Sequence, residues 1–149
     1  GAGGEDGAPP PVDLGAERRN GEFVRSLVAA RRLTAVHDLS EGGIAVSLTE
    51  MAVSGNIGAA IDALPAGPAH AVLFGEDQAR YLVTCKSAES ASILAQAAAA
   101  GVPAQRIGAT GGDGLRLPGE QPILVAALRD VYESALPAYM AGASPAAFN

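Results

Sequence analysis

The pattern of apolar and polar positions predicts an alternation of helices and strands. From Ala16 to Arg32, Phe23, Val24, Leu27 and Val28 recur at helical spacing, while Glu17, Arg18, Glu22 and Arg25 take the other side. Thr34–His37 is short and partly β-branched, and predicts a strand; Asp38–Gly43 is a polar turn. Gly43–Ser54 follows as a second helix with Ile44, Leu48, Met51 and Ala52 on one stripe, and Gly55 is placed to close it in a left-handed conformation. Ile57–Ile61 predicts a strand, Leu64–Pro68 a loop, and Val72–Gln78 carries no clear period. Arg80–Lys86 is the clearest strand, with Tyr81, Val83 and Cys85 alternating with Leu82 and Thr84. Ser87 caps a helix over Ala88–Ala100, with Glu89 in its first turn and Gly101 past its end. Strands are predicted at Arg106–Thr110 and Leu115–Leu117, joined by a turn at Gly111–Gly114. The last helix is Val125–Leu136, which Pro137 ends or kinks.

The order α, β-α-β, loop, β-α-β-β, α predicts an α+β (α/β-layered) fold. Its two β-α-β units are expected to form a mixed, largely antiparallel sheet of four to six strands with packed helices and a ferredoxin-like flavour. Residues 1–15, which contain Pro9-Pro10-Pro11, read as a linker or extended arm. Residues 16–140 are the folded domain, and 141–149 a flexible tail.

Composition narrows the function classes. Net charge is −6 and the chain has a single Lys, Lys86, which argues against binding nucleic acid or an anionic membrane and against a Lys-rich phosphate face. The absence of Trp disfavours base-stacking platforms. Cys85 is the only cysteine, so internal disulfides and thiolate clusters are excluded, in keeping with a reducing cytoplasm; it reads as a buried small apolar residue. No apolar run is long enough to span a bilayer, and the start lacks signal-peptide order.

Two stretches carry candidate chemistry. In Ala35-Val36-His37-Asp38-Leu39-Ser40-Glu41-Gly42-Gly43-Ile44, a strand ends in His-Asp and two glycines open a helix. Free N–H groups at a helix start attract anions, glycine admits close approach, and a carboxylate at the strand end suits Mg²⁺. The alternative is a plain turn, with Ser40 as N-cap, Glu41 in the first turn and Asp38 serving its own backbone. In Phe74-Gly75-Glu76-Asp77-Gln78, two carboxylates and an amide precede a strand; they suit a cation or a sugar hydroxyl, or form a solvated acidic turn. His37 is a candidate for acid–base work, since histidine is the side chain that ordinarily changes charge near neutrality, against a structural role at a strand end. His70 reads as surface. His37, Asp38 and Ser40 are too close in sequence to form a triad, and there is no Walker or nucleophile-elbow motif.

Taken together, Ala35–Gly43, Glu50-Met51-Ala52, Leu73–Arg80, Pro9–Leu14 with Asn20–Val24, Arg106-Ile107-Gly108 and Leu136–Met140 resemble the carboxy-terminal domain of the phosphoribosylformylglycinamidine synthase family. That family belongs to the aminoimidazole ribonucleotide synthetase-like superfamily. The resemblance spans nearly the whole chain. Glu41 stands where the family usually has Asp, and Asp77 where it usually has Ser.

The resemblance implies the second B-type domain of an ATP- and Mg²⁺-dependent ligase of purine synthesis. That ligase turns formylglycinamide ribonucleotide into the amidine with glutamine-derived ammonia. Its partners would be the other domains of the synthetase, a glutaminase and a small accessory subunit. By the same resemblance, Asp38, Glu76 and Gln78 face a nucleotide or phosphate (ATP or ADP) at an auxiliary site and Asp38 faces Mg²⁺, with His37, Ser40, Gly42 and Gly43 of the bend beside them as candidate phosphate contacts. No catalytic residue carries over, and the domain alone is expected to be inactive. Two other readings stand beside this one: a stand-alone ligand- or partner-binding module of the same fold, and the matching domain of a sister enzyme of the selenophosphate synthetase or hydrogenase-maturation type.

Overall fold

The structure, a computed structural model, describes residues 13–76 and 79–141. Most of the expected arm, Asp77, Gln78 and the tail from residue 142 lie outside the described residues. The fold is α+β, as expected. The helices are α1 (Leu14–Ala29), α2 (Gly43–Gly55), α3 (Ala69–Phe74), α4 (Ser87–Ala99) and α5 (Val125–Met140). The strands are β1 (Leu33–Asp38), β2 (Ala59–Ile61), β3 (Tyr81–Cys85), β4 (Gly108–Thr110), β5 (Gly114–Arg116) and β6 (Ile123–Leu124). No described helix is long and apolar enough to cross a membrane.

The chain divides into two compact units, 1–47 with 67–105 and 48–66 with 106–149, and passes from the first to the second within α2. The strands follow this division. Instead of one sheet of four to six strands there are two sheets, β1-β3 and β4-β2-β5-β6.

In the first unit, β1 and β3 pair antiparallel, with Val36 opposite Val83, His37 opposite Leu82 and Asp38 opposite Tyr81. Helix α1 starts two residues earlier than its periodicity predicts, because the Asp13 carboxylate accepts from the Ala16 N–H at 3.0 Å and caps it. Leu27 is buried from the expected stripe, whereas Val28 is exposed. Leu39, Ile44, Val72, Leu82, Ile93, Ala97 and Val102 complete this core. Arg32 binds α4: its guanidinium donates to Glu89 at 2.7 Å, Gln96 at 2.9 Å and Ser92 at 3.0 Å. Cys85 is half-buried and free rather than buried.

In the second unit, β2 pairs antiparallel with β4 and parallel with β5, and β6 adds antiparallel to β5. The Gly111–Gly114 segment therefore does not close a hairpin between β4 and β5. It crosses the start of β2, where the Gly58 N–H donates to Gly112 O at 2.9 Å and the Gly111 N–H to Gly58 O at 2.8 Å. Leu48, Ala52, Val53, Ala59, Ile61, Leu115 and Val125 are buried here. Helix α2 runs through Gly55, and Asn56 (φ +48°), not Gly55, takes the left-handed position. Pro137 lies inside α5 and does not end it.

Candidate functional site

The strand-turn-helix from His37 to Ser47 lies wholly in the first unit. Asp38 is the last residue of β1, with an exposed side chain, and α2 starts at Gly43. Ser40 does not act as N-cap. Its hydroxyl donates to Asp38 Oδ2 instead, and Glu41 precedes the helix rather than entering its first turn. That hydroxyl is the main reason the Asp38 carboxyl titrates below the ordinary aspartate value. Desolvation opposes it, while the residue's own backbone N–H and the neighbouring His37 add to it. His37 Nδ1 lies 2.6 Å from Asp38 O; a carbonyl only accepts, so Nδ1 carries a proton.

Ser47 anchors this bend from below. It is fully buried, and its hydroxyl donates to Asp38 O at 2.9 Å, tying the end of β1 to the second turn of α2. The signal was present in the sequence as a lone hydroxyl on the buried stripe of α2, three residues after Ile44 and one before Leu48.

The second stretch meets the first. Glu76, exposed just after α3, accepts from the Gly42 N–H at 2.9 Å through Oε1. A donor at the start of α2 thus already holds an oxyanion, supplied by the chain itself. Both glycines have positive φ, +67° at Gly42 and +63° at Gly43. A Cβ on Gly43 would lie 2.7 Å from Leu73 O and 2.8 Å from Gly75 O. The close approach this glycine permits is therefore made by the chain's own α3 exit. Among the predicted site residues, His37, Asp38 and Ser40 form one hydrogen-bonded group, and Gly42 and Glu76 another; Gln78 and Asp77 lie outside the described residues. His70 is exposed, on α3 rather than in a loop.

Among the described residues no group of three or more His, Cys, Asp and Glu side chains is gathered to hold a metal ion. A surface depression of about 390 Å³ lies along α1 instead, lined by Gly15, Arg18, Arg19, Glu22, Phe23 and Ala100. It includes none of the predicted site residues.

Comparison with known proteins fixes the family. The model of the AIR synthase related protein, C-terminal domain, matches residues 1–117. The chain belongs to this AIR synthase-related family. Within it, the AIR synthase-related chain is 56% identical over 137 residues to the phosphoribosylformylglycinamidine synthase subunit PurL of Azorhizobium caulinodans, covering 91% of the chain and 19% of that relative. The PurL subunit of Methylocella silvestris is 54% identical over 141 residues, covering 95% and 19%. The chain thus spans about a fifth of the length of the curated relatives it matches. Among solved structures, Thermotoga maritima PurL complexed with ATP superposes with a TM-score of 0.69 at 21% identity, over 87% of this chain and 24% of that one. The complex of the same protein with FGAR gives 0.68 at 19%, over 84% and 23%. At such identity the likeness speaks for the fold.

Proposed function

We propose that this chain is the C-terminal domain of a phosphoribosylformylglycinamidine synthase. The parent would be a cytoplasmic ATP-dependent ligase that forms the amidine from formylglycinamide ribonucleotide and glutamine-derived ammonia. The observation that carries this reading is the 56% identity over 91% of the chain to a PurL subunit. It favours the synthase over a stand-alone binding module or a sister enzyme. On this reading residues 16–140 are the domain, and its partners are the other parts of the synthetase, a glutaminase and a small accessory subunit.

Within that enzyme the bend from His37 to Gly43, whose Gly42 N–H is held here by Glu76, is the surface that faces a nucleotide phosphate. The Gly42 N–H is aimed at an oxyanion, Glu76 in this structure, and a phosphate would take that place. For Mg²⁺, Asp38 offers one exposed carboxylate kept ionised by Ser40, which suits an ion that takes most of its ligands from water and phosphate. A bound Mg-nucleotide would supply phosphoryl charge and its neutralisation. The chain's own part is to orient: Ser47 fixes the Asp38 carbonyl, Ser40 fixes the Asp38 carboxylate, and the two glycines set the entry of α2. No residue here is assigned to bond making, and the domain alone is inactive.

The test is replacement. This chain is substituted for the matching fifth of the Azorhizobium subunit, and amidine formation is assayed with ATP and ammonia. Activity within about tenfold of the parent is expected, with none from the chain alone. A folded but inactive chimera, or turnover by the chain alone, overturns the reading.

A further inference from the structure

The second half of α5 presents an apolar stripe to solvent. Val131, Tyr132 and Tyr139 are 58%, 61% and 70% exposed. At 3.6 residues per turn, Leu128, Val131, Tyr132, Ala135 and Tyr139 fall within an arc of about 100°, while Arg129, Asp130, Glu133 and Ser134 take the opposite side. The stripe starts as core, since Val125 is 3% exposed and Leu128 half-buried. It then runs on along the helix past the residues that bury it. Arg129 ties the helix down on its polar side, donating to Val53 O and to Asn56 Oδ1. Tyr is a residue type enriched at the cores of interfaces.

The occupant follows from what the helix is shared with. The family model ends at residue 117, before α5 begins. An alignment taking in 95% of the 149 residues leaves out fewer residues than the nine that follow Met140, so the match to the Methylocella PurL subunit includes α5 entire. In that relative the match makes up only 19% of the chain. The helix therefore lies beyond the residues that the family model matches but within the part held in common with a chain about five times as long.

We propose that the exposed stripe of α5 docks on an apolar surface in the remainder of a longer synthase chain, the part this chain does not span. This rests on the function proposed above. The test is hydrogen exchange of the peptides covering 128–140, in the chimera and in the 149-residue chain alone. Exchange at least tenfold slower in the chimera is expected, and Tyr132→Glu with Tyr139→Glu should abolish the difference. Equal exchange in an active chimera overturns the docking and leaves the function standing; protected α5 in an inactive chimera supports the docking and overturns the function. Should the chimera fail to fold, the same comparison is made between the intact Azorhizobium subunit and its isolated matching segment, where equal exchange overturns the proposal. Sedimentation of the 149-residue chain supplies the remaining arm. A monomer is expected, and a dimer that the double substitution dissolves overturns the proposal by assigning the stripe to a second copy.

Discussion

Gly43→Ala is the sharpest probe of how the bend is held, because two separable effects meet there. The first is backbone conformation: φ is +63°, a left-handed geometry that disfavours an L-residue by about 1–2 kcal/mol. The second is contact. The new Cβ would sit 2.7 Å from Leu73 O, 2.8 Å from Gly75 O and 2.9 Å from the carbonyl carbon of Phe74. These are main-chain atoms, so relief requires the α3 exit to move away from α2. Overpacking of that kind destabilises by about 1–3 kcal/mol. Gly101→Ala serves as the control, since φ is +67° there and its Cβ would meet nothing within 4 Å. It carries the first effect alone.

The expected losses are therefore about 2–5 kcal/mol for Gly43→Ala and about 1–2 kcal/mol for Gly101→Ala. Urea unfolding followed by circular dichroism reads the difference. With a slope of about 1–3 kcal/mol per molar urea, a gap of about 2 kcal/mol separates the midpoints by roughly 1 M. Coincident midpoints would refute the close approach of α3 to Gly43 and leave only the dihedral effect.

Arg32→Ala removes three hydrogen bonds to α4 from a mostly buried guanidinium and should cost about 1–3 kcal/mol by the same urea assay. Arg32→Lys should recover only part of this, because an ammonium cannot reproduce the fork. Ser40→Ala should raise the Asp38 pKa, read by carboxyl-carbon NMR titration. Since that pKa is lowered in the fold, the stabilising contribution is present above the ordinary aspartate value and fades as pH falls through the lowered one; the substitution narrows that window. Arg129→Ala leaves the Val53 carbonyl at the end of α2 without its guanidinium donor and should destabilise by about 1–2 kcal/mol, with faster hydrogen exchange at Asn56 and Ile57.

The elements with a sustained period were legible in the sequence. Ile44, Leu48 and Ala52 are buried as the stripe of α2 predicts, and β3 coincides with its alternation at Leu82. Short elements were not. Helix α3 has six residues, less than two turns, and β6 has two, so neither holds enough positions to express a period. Pairing was hidden for another reason. That β2 separates β4 from β5 depends on contacts across about fifty residues of chain, and Gly111–Gly114 has the composition of a hairpin turn whichever strand lies between. Pro137 was expected to end or kink a helix; it does not end α5, which continues to Met140 although the bond back to Glu133 is lost.

The candidate site was legible as two stretches, but their relation was not. Read alone, the glycines open a helix toward a ligand, and Glu76 belongs to an acidic turn. Folded, the carboxylate of one stretch takes up the N–H of the other at 2.9 Å. A backbone amide has one proton, and two oxyanions at the same donor repel, so a phosphate docking at Gly42 must displace Glu76. The carboxylate is exposed, so water takes over its hydrogen bonding when it swings away and the exchange leaves no buried charge behind. Asp38, by contrast, is held by the adjacent Ser40 and through its carbonyl by the buried Ser47, and has no reason to move. On the function proposed above, the bend would thus pair one fixed carboxylate, held through Ser40 and Ser47, with one exposed carboxylate that gives way to a phosphate at the helix start.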